Sequence, residues 1–195
     1  MASSRDKLVH TAIDLILTRG FNTTTVDEIC ARAEVAKGSF YYAFKSKEDL
    51  GVAALEAFDT EHNTEFANSG FLEEPDPKKR LNMFLNYLID EAGTLFEKGC
   101  LLGNMSLEIS DEFPKIRKRL DELFQQNLDS TEFLIGAYLE SLKNPPSLSP
   151  KILAEKFASV LEGSLVLARA SGDWDYLPRM LSLYRDELMV LSETK

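Results

Sequence analysis

Residues 35–50 read VAKGSFYYAFKSKEDL. Within that stretch Lys37, Lys45 and Lys47 supply ammonium donors, and Ser39, Tyr41 and Tyr42 supply hydroxyls. Such groups hydrogen-bond phosphate oxygens, and exposed tyrosine rings lie against a sugar–phosphate wall. If the stretch is helical, Phe40 and Phe44 stand four residues apart and share the inward face. Tyr41 and Tyr42 then point away from that face, together with Lys37, Gly38 and Ser39. The chemistry on offer is binding of a polyanion; the competing reading is a small helical unit with a solvated face.

The rest of the chain offers less. The only histidines are His10 and His62, and no Gly-x-Ser-x-Gly, phosphate-binding loop or close Cys/His cluster is present. No enzymatic activity, cofactor or metal site is expected. Cys100 lies beside a helix start and near Lys98, where a thiol can become nucleophilic; inert packing is the ordinary fate of a lone cysteine. Cys30 falls on the apolar face of its helix. The two cysteines are far apart and do not read as a disulfide framework.

The elements that must position these groups read as helical throughout. Leu8, Ala12, Leu15 and Ile16 recur at helical spacing, and Gly20 ends that run. Thr25 and Glu28 have the spacing of a capping box for a second short helix. A three-residue turn leads to a third helix over about 37–44, and Ser46 caps a long one running to about 69. Two short helices joined by so tight a turn form a helix-turn-helix, whose second helix fits a major groove. Further helices are expected from Leu81 to Phe96 as one apolar stripe, over 116–142, 151–171 and 176–192. The short connection GCLLGN, residues 99–104, precedes another helix. No period-2 alternation predicts a strand. The fold class is all-α.

Charge sharpens the picture. The chain has 195 residues, a net charge of −10 and a pI near 4.8. Residues 1–50 carry seven Lys/Arg and seven Asp/Glu, so the acidity belongs to the remainder. That excludes a protein that coats nucleic acid through bulk charge, and leaves room for a neutral first unit with cations on one edge. No apolar run reaches the ~18–20 residues of a membrane span, and no signal peptide is visible; a cytoplasmic protein is expected.

The stretch FNTTTVDEICARAEVAKGSFYYAFKSKEDL, residues 21–50, resembles the DNA-binding region of the tetracycline-repressor (TetR) family of bacterial regulators. The resemblance covers about 45 residues; beyond them it is one of layout. It implies a helix-turn-helix domain over residues 1–48 and a helical effector-binding and dimerisation domain over 49–195. It implies phosphate contacts from Thr24, Thr25, Tyr41 and Lys47, base-edge neighbours Lys37, Ser39 and Tyr42, and Gly38 as the point of close approach. Three positions depart from the family pattern: Glu34 where Gly is common, Ala36 where a Ser or Thr cap is common, and Ala43 where a polar or aromatic residue is common.

The family layout also implies partners: double-stranded operator DNA, a second copy of the chain and a small-molecule effector. The last two helices each carry apolar residues on two sides, as a helix does that is central or half of an interface. Phe157, Leu161, Gly163, Leu181, Tyr184 and Leu188 are expected in the dimer seam. Ser159, Gly163, Val166 and Ala170 make a second, small-residue stripe. Phe84, Tyr87, Cys100, Asn104, Phe124, Asn127 and Tyr138 are the candidate effector contacts, Asn127 because it interrupts an inward stripe. Phe58, His62 and Phe66 line one side of the connecting helix that would carry the signal. The function expected is a ligand-released repressor; an activator of the same family and a helical protein–protein adaptor are the alternatives.

Overall fold

The computed structural model describes residues 3–191 and, among these, contains helices and no strand. Ten α-helices follow in order: α1 Ser4–Arg19, α2 Val26–Arg32, α3 Lys37–Ala43, α4 Lys47–Asn68, α5 Pro77–Asp90, α6 Ala92–Leu95, α7 Leu101–Glu108, α8 Pro114–Glu140, α9 Pro150–Ser171 and α10 Tyr176–Val190. A short 3-10 turn, Phe71–Glu73, precedes α5. Ser192, expected at the end of the last helix, lies outside the described residues.

Local chemistry sets the boundaries. Ser3 and Asp6 form a reciprocal capping box on α1. Thr25 accepts the Glu28 N–H at 3.2 Å and caps α2. Glu28 does not reach back to complete the expected box; its carboxylate pairs with Arg19 instead. Ser46 accepts the Asp49 N–H at 3.1 Å and caps α4. The apolar stripe expected from Leu81 to Phe96 is broken: α5 stops at Asp90, and a single turn with Gly93 at its centre separates it from Phe96. Glycine's freedom makes it a poor helix residue, which weakens the run at that point. The helix α7 starts at Leu101, so Gly103 and Asn104 stand on a helix and not in the connection expected before it.

Two compact units result. Among the described residues, one comprises 3–62 together with Lys98–Phe124; the other comprises Asn63–Glu97 and 125–191. These units do not follow a single cut at 48/49, because the first half of α4, α7 and the start of α8 complete the core beneath the first three helices. Leu8, Leu15, Phe21, Ile29, Phe40, Leu50, Leu55, Leu101, Met105 and Ile116 are buried in that core. A Cβ on Gly51 would stand 2.7 Å from Ile116 Cδ1 and 2.9 Å from Phe21 Cε2, so α4 passes close there only because the residue is glycine. Lys98 pairs with Asp14 at 2.6 Å and Lys115 with Asp49 at 2.6 Å, tying the inserted segment to α1 and α4.

In the second unit α10 packs on α5 and α9. Phe84, Phe157 and Tyr184 stack in sequence with ring centroids 5.9 and 5.6 Å apart. The Tyr184 hydroxyl donates to the Leu153 carbonyl at 2.7 Å, and that of Tyr138 to the Leu188 carbonyl at 3.0 Å.

Candidate nucleic-acid interface

The turn between α2 and α3 sets the presentation of the recognition helix. Val35 N–H donates to the Cys30 carbonyl at 3.0 Å, and Glu34 takes φ 55°, in the left-handed region. A residue with a Cβ is strained there, which explains why glycine is common at this place in the family that the sequence resembles. Ala36 starts α3 without a side-chain cap. Phe40 and Phe44 are buried as expected, their ring centroids 5.8 Å apart.

With those two rings held inside, the outer face of α3 is turned to water. Tyr42 is 95% exposed and Tyr41 56% exposed, the latter with its ring edge-on to Phe40 at 5.1 Å. Thr25 is exposed, and its hydroxyl keeps a proton to donate while accepting from Glu28. Gly38 is exposed, and a Cβ there would meet no atom of the protein within 4 Å. The protein's own packing therefore does not require glycine at 38. Ser39 is half-buried at the edge of the same face.

Two expected contacts differ. Thr24 is 1% exposed, and its hydroxyl donates to the Gly20 carbonyl at 2.7 Å. It closes the turn after α1 and has neither exposure nor a spare donor for phosphate. Lys47 is half-buried, with its ammonium 4.3 Å from the Phe21 ring centre and 3.4 Å from the Asn22 carbonyl. Burial lowers its pKa, and the Glu108 carboxylate opposes that shift. Lys37 is exposed and engaged: its ammonium lies 2.6 Å from Asp27 Oδ1, which raises its pKa.

The structure adds residues that spacing did not indicate. Asp27 reaches Lys37 from the first turn of α2. Asn22 and Glu108, 86 positions apart, are joined by two hydrogen bonds of 2.9 Å. Arg5 lies over Phe44, 5.3 Å from the ring centre. The capping pattern placed Asp27 on the first turn of α2; no sequence signal joins Asn22 to Glu108.

The expected effector residues are dispersed. Cys100 is the half-buried N-cap residue of α7; Asn104 stands one turn on, its Nδ2 buried with no hydrogen-bond partner. Phe124 packs on the core of the same unit. Phe84 and Tyr87 belong to the second unit, each with its ring against Phe66, at 6.1 and 5.8 Å. Asn127 is exposed on α8, contrary to the inward placement expected for it, because the buried side of the helix passes from Leu123 to Thr131 and Leu134. Tyr138 is fully buried and its hydroxyl donates to the Leu188 carbonyl, so in the single chain it packs as a core residue. Burial raises the pKa of the Cys30 thiol, as does Asp27, and makes it a poor nucleophile.

Four of the six expected seam residues need the same correction. Phe157, Leu181, Tyr184 and Leu188 are buried within the protomer, and Leu161 is half-buried. Gly163 is exposed with open space above it. The apolar surface that α9 and α10 leave uncovered is a different set: Ile152, Val166, Leu167, Leu183 and Val190.

Among the described residues no helix is long and apolar enough to cross a membrane, and no group of three His, Cys, Asp or Glu is placed to hold a metal ion.

Comparison with known proteins agrees with this geometry. Residues 8–54 match the model for bacterial regulatory proteins of the tetR family, and residues 77–183 match the tetracyclin repressor-like C-terminal domain. The HTH-type transcriptional repressor DhaR of Mycobacterium sp. (strain GP1) is 28% identical over 97% of this chain and 94% of its own length. The HTH-type transcriptional repressor NemR of Escherichia coli (strain K12) is 34% identical over 61% of this chain and 60% of its own. Among solved structures, regulatory protein TetR from Rhodobacter sphaeroides superposes with a TM-score of 0.77 at 26% identity, covering 96% of this chain and 97% of that one. The reduced form of E. coli NemR superposes with a TM-score of 0.77 at 25% identity, covering 94% and 96%. With both halves of the chain matched, this chain belongs to the TetR family and is a DNA-binding transcriptional regulator.

Proposed function

We propose that the protein is a ligand-released homodimeric repressor of a near-palindromic operator, acting in the cytoplasm. The observation that carries the docking is the exposure of Tyr42 at 95% and Tyr41 at 56% on a helix whose other face is locked by Phe40 and Phe44. On this reading α3 enters the major groove, with Lys37, Ser39 and Tyr42 nearest the base edges. Thr25, Tyr41 and Lys47 hold phosphates, Lys47 by leaving Phe21. Gly38 allows the backbone wall to come close. Two recognition helices of a two-fold dimer meet half-sites roughly 34 Å apart. The repressor sense is supported by the names of DhaR and NemR.

The seam is assigned to Ser159, Gly163, Val166, Leu167 and Ala170 of α9 with Leu183 and Val190 of α10, all exposed in the single chain. Small residues there let two helices approach closely, and the flanking aliphatic groups gain from being covered.

The effector is a small, partly apolar molecule carrying a hydrogen-bond acceptor, held by the Asn104 amide. An unpaired buried donor costs free energy that a ligand oxygen would return. Cys100, Asn104 and Glu108 are spaced four apart along α7, and Glu108 ends on Asn22. A shift of α7 on binding therefore reaches the turn before α2. A coupling of ~1–3 kcal/mol would weaken DNA binding about 5–150-fold.

The test starts with duplexes selected from a random library by the purified protein. A dimer neutralising ~6–10 phosphates should lose ~10³–10⁵-fold in affinity between 50 and 200 mM salt. Tyr41→Ala should weaken binding to all duplexes alike, and a flat salt response would refute this docking. Metabolites are then screened by thermal shift and by loss of binding to the selected duplex. A ligand that stabilises the protein and leaves DNA affinity untouched is not its effector.

A further inference from the structure

The ammonium of Lys37, first residue of the recognition helix, is held by a carboxylate from the neighbouring helix. Lys37 Nζ lies 2.6 Å from Asp27 Oδ1, and both side chains are largely exposed, at 57% and 71%. Neither group is needed to fill the core, and the pair faces the same water as Tyr41 and Tyr42. A carboxylate beside a phosphate-binding surface opposes polyanion binding. Its place on the first turn of α2 suits the helix dipole, and beside the exposed Thr25 it also stands at the surface assigned to DNA.

We infer that Asp27 is a specificity-determining residue, which withholds Lys37 from phosphate on arbitrary DNA and joins it in reading a G·C pair on the right sequence. The inference rests on the docking of α3 in the major groove proposed above. There, guanine presents its O6 and N7 acceptors and cytosine its N4 donor. Lysine is a donor to the first and aspartate an acceptor from the second. Guanine O6 and cytosine N4 are themselves hydrogen-bonded partners, so they lie side by side. An ammonium and a carboxylate 2.6 Å apart match that adjacency, donor facing acceptor and acceptor facing donor. No intramolecular contact need then be sacrificed on the correct base pair. On other sequences Lys37 must leave Asp27 to reach a phosphate, and the uncompensated carboxylate repels the backbone. An A·T pair in the same place would set the thymine O4 acceptor and methyl group against the carboxylate.

The charge pattern of the interface fits this role. Lys47 is likewise turned inward, onto Phe21 and Asn22 with the Glu108 carboxylate near, and Arg19 and Arg32 are paired with Glu28 and Asp14. Lys37, Arg19 and Arg32, so paired, gain less from arbitrary phosphates than free cations would, which lowers the sequence-independent part of the affinity.

The experiment compares the wild type with Asp27→Asn. Each protein selects duplexes from a random library, and each is titrated against the wild-type selected duplex and a scrambled duplex of equal length. The wild type should demand one G·C pair per half-site that Asp27→Asn tolerates changing. The variant should bind the scrambled duplex roughly two- to five-fold more tightly per protomer, as expected for release of one exposed ion pair, with a steeper salt slope. Both effects should vanish when Asp27→Asn is made on a Lys37→Met background, which a merely structural role of Asp27 would not produce. Unchanged base preference, or unchanged scrambled-duplex affinity, overturns the inference. Tyr41→Ala, assayed alongside, separates this from failure of the docking itself: if that variant binds normally, α3 does not meet DNA as drawn and Asp27 has no role in reading it.

Discussion

The Glu108 carboxylate accepts the backbone N–H of Asn22 at 2.9 Å, and the Glu108 carbonyl accepts the Asn22 side-chain amide at 2.9 Å. The carboxylate occupies space that Gly20 leaves open: at φ +90°, a Cβ there would lie 2.4 Å from Glu108 Oε1. The end of α7 thus fixes the turn that leads to Thr25 and α2. Glu108→Ala should cost about 1 kcal/mol of stability, the net worth of one hydrogen bond, and weaken operator binding several-fold by loosening the turn. Glu108→Gln keeps an acceptor and should restore most of the DNA affinity. Equal DNA affinity for Glu108→Ala and the wild type would show that the clamp is structural only.

Glu34 holds φ 55° with an exposed side chain. Glycine at this position removes the Cβ strain, worth about 1–2 kcal/mol, less the entropy that glycine adds to the unfolded chain. Glu34→Gly should therefore raise the unfolding free energy by about 1 kcal/mol, read as a higher urea midpoint with an unchanged slope. A fall in midpoint would mean that Glu34 makes a contact more valuable than its backbone strain.

Gly38 separates stability from function in the opposite direction. Nothing in the protein lies within 4 Å of a Cβ at 38, so Gly38→Ala should stabilise α3 by roughly 0.5–1 kcal/mol. The added methyl stands on the face assigned to DNA, where operator affinity should fall at least ten-fold. Tight operator binding by a stabilised Gly38→Ala protein would remove Gly38 from the contact surface.

The helical layout was legible because each early boundary carries its own chemistry: Thr25 and Ser46 are caps, and Phe40 with Phe44 marks the inward side of α3. The exposed face opposite those rings could be read for the same reason. What escaped the sequence depended on which backbone group or neighbouring helix each side chain meets, which spacing does not display. Thr24 looks like Thr25 until the Gly20 carbonyl is seen to take its hydroxyl. Tyr138 looks like a pocket tyrosine until Leu188 supplies its acceptor. The inward periodicity assigned to Asn127 fails because α8 changes the neighbours it packs against along its length. On α9 and α10 two apolar sides were visible, but periodicity alone could not say which one α5 covers. The structure gives Leu181, Tyr184 and Leu188 to the core, and Val166 and Leu183 to the outside.

His10 carries a pH signature. Its Nδ1 lies 2.7 Å from the Asp6 carbonyl and its Nε2 2.8 Å from Glu61 Oε1. Both partners accept, so the arrangement requires the doubly protonated ring. The Asp6 carbonyl chiefly, and the Glu61 carboxylate with it, raise the His10 pKa against a smaller opposing effect of burial. A raised folded pKa means that the stabilisation is fully present below the ordinary histidine value near 6.5 and is lost as pH rises through the folded value. The pair is exposed, so the contribution stays below about 1 kcal/mol. His10→Gln should narrow the stability difference between pH 5.5 and pH 8.5, and an identical pH profile for the two proteins would dismiss the tie.

The seam gives the last prediction, and it turns on which side of each helix a charge is placed. Leu188 is 2% exposed in the single chain, and its carbonyl holds the Tyr138 hydroxyl. A carboxylate there enters the protomer core, where an unpaired charge costs several kcal/mol. Leu188→Asp should therefore fail to fold, with loss of helical circular dichroism and no folded monomer. Val166 and Leu183 are 54% and 52% exposed. Val166→Glu and Leu183→Glu leave the protomer core intact and place like charges on both sides of the two-fold seam. These variants should keep the wild-type helical spectrum and sediment as monomers at concentrations where the wild type is a dimer. A monomer offers one recognition helix per binding event, so its affinity for the full selected duplex should fall by orders of magnitude while half-site affinity is kept. If both glutamate variants remain dimers with unaltered dissociation, the exposed stripe of α9 and α10 is not the seam.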